Sequence, residues 1–212
     1  MILKRYSKKF LDKYIEDEFD KASTSHSTSP DPDWNLIWVL TGAKFSIDDF
    51  KNSDDIEMKR RLRTGILVAL KIASLKSGRR DLGFGEIKKW APGIYISGYD
   101  EQNIVLQKLK GENHFKSRFG FPDTKIAVGG KEHIKNTIDQ FKKFPARKWP
   151  AKGKLVILTD AYHMPRVILY ARTIFRKDWL GRTVFITAEP RYIPSELVLL
   201  EKDKIRKYFE KV

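Results

Sequence analysis

Between Leu155 and Phe175 the hydrophobic period of the chain changes once, and that change constrains the fold more than any other feature. Leu155-Val-Ile-Leu158 is an unbroken apolar run, the pattern of a strand covered on both faces in a parallel sheet. Pro165 follows; it suits the first turn of a helix, where its missing N–H would have no intrahelical partner. Val167, Ile168, Ala171, Ile174 and Phe175 then recur at helical spacing. A buried strand that runs straight into a helix is one unit of an α/β fold.

The same alternation repeats along the chain. Strands are predicted at 36–41, 93–97, 125–129, 155–158 and 183–187. A long helix capped by Asn52 or Ser53 is expected to run to Ser77, where Gly78 ends it. Residues 79–92, with their glycines and proline near Phe84 and Trp90, read as a loop or short insert. Further helices are predicted at 101–109, at 133–144, after Pro165 and from Ser195. This order predicts one three-layer, Rossmann-like α/β domain over residues 34–212, with a mostly parallel sheet of about five strands. Before it, Leu3, Tyr6, Phe10, Tyr14 and Ile15 fall three or four apart and predict an amphipathic helix. Residues 23–33, rich in Ser, Thr and Pro, read as a linker, so 1–33 forms an N-terminal extension.

With 41% hydrophobic and 33% charged residues over 212 positions, the chain belongs to the soluble globular class. No apolar run approaches the ~18 residues that span a bilayer, and the start lacks the apolar core of a signal peptide. A cytoplasmic protein is expected. The absence of cysteine excludes disulfides and thiolate metal sites. The net charge of +15 points to anionic partners. Residues Lys142–Lys154 carry six basic residues and no acid, beside Phe144 and Trp149. Basic residues interleaved with aromatics can track a single-stranded nucleic acid, although no nucleic-acid motif accompanies them.

In a parallel sheet every strand ends on one edge. That edge would collect Thr41, Gly42, Ser97, Gly98, Gly129, Gly130, Thr159, His163 and Arg166. His163 and Arg166 would stand beside a helix start at a strand's carboxyl end, where open α/β sheets bind ligands and anions are favoured. His163 is the candidate acid or base. Arg166 and Arg61 are candidate anion clamps. Asn136 and Thr137 would orient the ligand, and Thr159 would brace the turn or donate to it. Ser97 and Thr41 lack the Gly-x-Ser-x-Gly elbow of a serine nucleophile and suit strand-end backbone groups better. His114 and His133 have no ligand-spaced partner, so no metal is expected. Neither Gly-x-Gly-x-x-Gly nor a P-loop is present, and the sequence names no cofactor and no oligomeric state.

Thr159-x-Ala-Tyr-His163-Met-Pro-Arg166 resembles the signature of the YdcF-like family (the DUF218 domain, with SanA and ElyC among its relatives). Three other segments match it in order. Leu36-Ile-Trp-Val-Leu-Thr-Gly42 resembles the first strand and glycine turn, and Ile94-Tyr-Ile-Ser97-Gly98 the second strand. Lys135-Asn136-Thr137-Ile-Asp139-Gln140 resembles a segment usually written Asn-Thr-x-Glu-Asn, and Arg61-Leu62 fits the helix after strand one. The chain departs from the pattern where Tyr99 replaces a second Gly, where Asp100 and Glu101 come early, and where Asp139 and Gln140 stand for Glu and Asn. The resemblance implies a Rossmann-like fold and an association with the bacterial envelope, without a named reaction. The expected function is binding of a small anionic ligand, a phosphate ester or nucleotide-like molecule, with His163 available for acid/base or transfer chemistry. The alternatives are a non-catalytic ligand-sensing or envelope-related binding module, and a nucleic-acid-associated protein using residues 142–154.

Overall fold

The structure, a computed structural model, describes residues 13, 15–17, 29–54, 56–188 and 195–211. Five strands, β1 (Trp34–Leu40), β2 (Gly93–Ser97), β3 (Ile126–Val128), β4 (Lys154–Asp160) and β5 (Thr183–Ala188), form one sheet in the order β3-β2-β1-β4-β5. All four pairings are parallel. Ile37 stands opposite Ile94 on one side and Val156 on the other, so β1 is flanked by β2 and β4. The chain winds outward from β1 through β2 and β3, then crosses to build β4 and β5. The carboxyl ends of β1 and β4 thus flank the point where strand order reverses, the usual ligand crevice of such sheets.

Alternation along β1 divides the core between two faces. Ile37 and Val39 join Leu62, Ile66, Ala69 and Ala73 of α2 (Glu57–Ser77), Ile87 of α3 (Phe84–Trp90) and Leu106 of α4 (Asp100–Gly111). Trp38 and Leu40 face the other way. They join Phe141 of α6 (Thr137–Lys142), Val167 and Tyr170 of α7 (Met164–Ile174), and Ile205 of α9 (Ser195–Lys211). Helix, sheet, helix is the three-layer arrangement predicted. The Trp38 indole N–H is satisfied inside this core by Ser97 Oγ at 2.7 Å. No described helix is long and apolar enough to cross a membrane.

Three local expectations are corrected, and one helix forms where none was predicted. The stretch 47–77 holds two helices, because Ser46 and Asp49 form a capping box ahead of Ser53: Ser46 Oγ accepts from Asp49 N at 3.0 Å, and Asp49 Oδ2 from Ser46 N at 2.8 Å. Ser53 closes that helix, α1 (Ile47–Asn52), and α2 starts four residues later. Residues 84–90 are helical, since Glu86 turns back to Gly83 N at 2.9 Å and Ile87 finds a place in the core. A helix α5 (His114–Phe119) buries Phe115 and ends at Gly120, whose φ of 64° suits a residue without Cβ. The predicted helix 133–144 shrinks to α6, because Asn136 caps it by accepting from Asp139 N at 2.9 Å.

Gly78 takes φ 70° and ends α2 as expected. A short helix, α8 (Lys177–Leu180), leads into β5. The predicted N-terminal helix lies mostly outside the described residues. Its described part, Lys13 and Ile15–Asp17, is helical; Ile15 is buried in the second core, and Glu16 pairs with Lys202 of α9 at 2.5 Å.

Candidate functional site

A pocket of about 330 Å³ opens at the carboxyl ends of β1 and β4. Its wall combines the turn after β1 (Thr41–Lys44), Glu57 and Arg61 of α2, Thr137 and Gln140 of α6, Tyr162, His163 and Arg166 at the start of α7, and Glu201 and Lys204 of α9. The pocket therefore sits at the reversal of strand order. Each element delivers its side chain for a local reason. β4 ends at Asp160, three residues of turn follow, and α7 begins at Met164 with Pro165 in its first turn. That tight passage leaves His163 at the helix boundary and turns its buried ring to the pocket.

His163 is held on both sides. Nδ1 lies 3.1 Å from Glu201 Oε2 and 2.8 Å from Arg166 Nη2. Nε2 lies 3.5 Å from Thr137 Oγ1. A proton on Nδ1 satisfies Glu201, whereas a lone pair there satisfies Arg166, so the two neighbours favour opposite tautomers. Burial, reinforced by the Arg166 charge, pulls the ring's pKa down to about 4, and the imidazole is neutral at neutral pH. Arg166 grips Glu201 in a fork, Nε to Oε2 at 2.6 Å and Nη2 to Oε1 at 3.1 Å. Lys204 adds a third cation contact at 2.9 Å. Burial opposes ionisation of Glu201, but the His163 hydrogen bond and the Arg166 charge outweigh it and hold the carboxyl at about 2.

Arg61 forms the second charged cluster. It is 1% exposed, with Nε and Nη2 on Asp160 Oδ2 at 3.0 and 2.7 Å, Nη2 on Glu57 Oε1 at 2.8 Å, and Nη1 on the Leu40 carbonyl at 2.8 Å. Glu57 also accepts from Ala43 N at 2.8 Å and from the Tyr162 hydroxyl. Burial and the neighbouring Glu57 raise Asp160 to about 7, against the pull of Arg61, while Glu57, against its own burial, is held low by Asp160 and Arg61. Asp160 Oδ1 is buried with no hydrogen-bond partner among the described residues. An orphaned oxygen of that kind disfavours the anion. Arg61 thus locks β1, α2 and β4 together, with most of its donors committed. Arg61, expected as a candidate anion clamp, stands in the pocket wall with few donors left for a ligand.

The other predicted residues divide into those at the pocket and those behind it. Thr41, Gly42, Thr137, His163, Arg61 and Arg166 line it. Thr41 Oγ1 donates to Gln102 Oε1 at 2.6 Å. Gly42 is required where it stands, because a Cβ there would overlap the Glu57 carboxylate. Ser97, Gly98, Asn136 and Thr159 do not line it. Ser97 is committed to Trp38 through its hydroxyl and to Thr41 N and Gln140 Nε2 through its carbonyl. Gly98 binds Asn103 through both backbone groups, at 2.9 and 3.1 Å. Asn136 is the cap of α6. The Thr159 side chain is fully buried, its hydroxyl without a partner among the described residues. Of the glycines predicted on this edge, Gly129 and Gly130 offer carbonyls to Gln107 Nε2 and Asn103 Nδ2, at 2.7 and 3.0 Å, in the scaffold under β3.

Several residues escaped sequence reasoning. Gln102 donates to the Gly42 and Ala43 carbonyls at 3.1 and 2.8 Å and accepts from Tyr99 N at 3.0 Å. With Asn103 it ties together the turns after β1, β2 and β3. Asp100, which stands early against the family pattern, accepts from the N–H groups of Glu132, His133 and Ile134. Asp139 accepts from Lys135 N at 3.0 Å, a local turn contact. Glu201 is the most consequential omission, and it had a signal. Val198, Glu201, Ile205 and Tyr208 recur three and four apart, so an acid sits on the apolar stripe of α9.

The aromatics of the basic segment are part of the core. Phe144 and Trp149 are 7% and 9% exposed, and Trp149 stacks on Trp179 with centroids 4.7 Å apart. They are not free to stack on bases, which removes the feature that suggested a nucleic-acid groove.

No protein-family model matches the chain, and no curated protein or solved structure matches it.

Proposed function

We propose that the pocket between the ends of β1 and β4 binds a small anionic molecule, a phosphate ester or a nucleotide-like compound, and that His163 exchanges protons with it. The single observation that carries this reading is the composition of the wall. Lys44, Arg61, Arg166 and Lys204 meet Glu57 and Glu201 around a neutral imidazole. With Asp160 raised to about 7, the cations outnumber the ionised carboxylates. A volume of about 330 Å³ suits a small ligand, at the lower end of the usual range. Lys44 carries a flexible cationic head whose partner, Glu101 at 3.0 Å, is as exposed as itself, so an incoming anion can attract it at little cost. The resemblance of Thr159–Arg166 to the YdcF-like signature supports the same residues.

The neutral ring can donate or accept at Nε2 according to its tautomer. A pKa near 4 makes it a weak base on its own. That favours, as a second reading, a binding module that holds its ligand without changing it.

Thermal unfolding against inorganic phosphate, sugar phosphates and nucleoside monophosphates tests the proposal. A ligand present at 100 times its Kd adds ~2.7 kcal/mol to the native state. The expected result is a shift in the wild type that His163→Ala together with Lys204→Ala abolishes. No shift with any anion refutes the reading. A shift with the ligand recovered intact after long incubation selects the binding module.

A further inference from the structure

We propose that Thr137 is a nucleophile, and that Thr137, His163 and Glu201 form a relay for phosphoryl transfer from a small phosphate monoester. The inference rests on the anion-binding reading above and deepens it. Thr137 Oγ1 has one hydrogen-bond partner among the described residues, His163 Nε2 at 3.5 Å. On the far side of the ring, Nδ1 meets Glu201 Oε2 at 3.1 Å. Hydroxyl, imidazole and carboxylate stand in the order that a nucleophile, its base and the orienting group require, at a separation usual before substrate tightens the contact.

Elimination among the hydroxyls points the same way. Ser97 lies behind the pocket, bound to the Trp38 indole, and Thr41 donates to Gln102. The Tyr162 hydroxyl is given to Glu57. Thr137 alone of these four combines a place on the pocket wall with an imidazole nitrogen within 3.5 Å. Thr137 opens α6, a helix capped by Asn136 through Asp139 N and anchored by Gln140, whose side chain donates to the Ser97 carbonyl at 3.0 Å. The hydroxyl is therefore mounted on a fixed support.

The chemistry balances as a double displacement. Oγ1 attacks phosphorus; the Oγ1–P bond forms and the bond from phosphorus to the alcohol oxygen breaks. The threonine proton passes to Nε2 and then to the departing oxygen. Water next attacks the phosphothreonine and delivers a proton to Nε2. The Oγ1–P bond breaks, Oγ1 recovers the proton, and inorganic phosphate leaves. During each step the imidazolium needs Nδ1–H directed at Glu201. Arg166 Nη2 opposes that proton at 2.8 Å. A phosphoryl oxygen that draws Nη2 away leaves Nε on Glu201 and frees Nδ1 to donate. Substrate thereby selects the tautomer in which Nε2 is the base. Glu201 acts through the ring and is a positioning residue.

The test incubates the full chain with 4-nitrophenyl phosphate, quenches in acid, and maps phosphorylation by peptide mass spectrometry beside the rate of nitrophenol release. The expected result is phosphate on Thr137. Thr137→Val should lose on the order of 100-fold or more in rate, the scale of a lost proton-transfer partner, while Thr137→Ser keeps turnover. The unfolding temperature without ligand reports that both variants fold, and the inorganic-phosphate shift is read in the wild type and in Thr137→Ser. Glu201→Gln should displace the pH profile rather than abolish the adduct. Turnover in Thr137→Val at the wild-type rate overturns the proposal. So does a wild type with no adduct and no turnover that still shows the His163-dependent phosphate shift, and in that case the anion pocket stands. Absence of that shift as well overturns both.

Discussion

Arg166 and Glu201 lie thirty-five residues apart and meet as a fork, with Nε on Oε2 at 2.6 Å and Nη2 on Oε1 at 3.1 Å. Glu201 is buried and Arg166 half-buried, and the contact fastens α9 to the start of α7. Because His163 and Lys204 share the same carboxylate, the contact couples the last helix of the fold to the pocket.

Removing one member of a buried pair leaves an uncompensated charge, which costs about 3–5 kcal/mol. Glu201→Ala should fall in that range in urea unfolding, because it strands Arg166 beside His163. The double variant with Arg166→Met should recover part of the loss. A coupling near zero in that double-mutant cycle would show that the two side chains stabilise the native state independently.

The parts of this site that were legible in the sequence are those whose cause is local. The apolar run of β4, Pro165 and the helical spacing after it are contiguous, so the placement of His163 and Arg166 followed from their immediate neighbours. The partner of Arg166 was not legible in the same way. Asp160 is only six residues away, but it belongs to Arg61 of α2, whose guanidinium bridges the ends of β1 and β4. Deciding between Asp160 and Glu201 requires the strand order, which local pattern does not contain. The same holds for Ser97: its place at a strand end was visible, yet only the packing of Trp38 shows that its hydroxyl is already taken. The helix boundaries at 46–57 were misplaced for a different reason. The Ser46–Asp49 box starts a separate short helix that Ser53 closes, and α2 begins after Ile56 with no side-chain cap to mark it.

Arg61 carries the heaviest structural burden of the site residues. Arg61→Met retains much of the side chain's bulk while stranding Asp160 and Glu57 without their shared cation. A loss on the order of 3–5 kcal/mol is expected. Adding Asp160→Asn should restore a large part of it, since the amide carries no charge into the same place. Guanidinium unfolding of the three variants measures this, and an Arg61→Met protein as stable as the wild type would contradict the ion-pair account.

Gly42 predicts a steric effect without a charge change. A Cβ at this position overlaps the Glu57 carboxylate, which is held by Arg61, Ala43 N and Tyr162. Gly42→Ala should cost about 1–3 kcal/mol, the range for overpacking a fixed neighbour. Gly85→Ala serves as the control, because nothing lies within 4 Å of a Cβ built there. Thermal unfolding that ranks Gly85→Ala below Gly42→Ala would count against the close approach of Glu57 to the turn.

The pH dependence of stability separates His163 from Asp160, because their shifts have opposite signs. His163 is lowered to about 4 by burial and by Arg166, with Glu201 pulling the other way and Arg61 adding to the depression. The unfolded chain, with an ordinary histidine pKa of about 6.5, binds the proton more readily, so stability is lost as the pH falls from about 6.5 to 4. The magnitude is roughly 3 kcal/mol at one pKa unit per 1.36 kcal/mol. Asp160, raised to about 7, keeps its proton in the folded state, so its contribution is present below about 4 and is lost as the pH rises through 7. The two slopes partly cancel in the wild type between pH 4 and 6.5, and single variants are needed to expose them. His163→Gln should remove the acid-side loss, leaving a protein that becomes more stable from pH 6.5 down to 4. Asp160→Asn should do the reverse and steepen that loss. Glu201, held at about 2, changes the balance only below its ordinary carboxylate range. Urea unfolding at half-unit pH steps reads all three, and a His163→Gln profile parallel to the wild type's would mean that the ring is not held neutral in the fold.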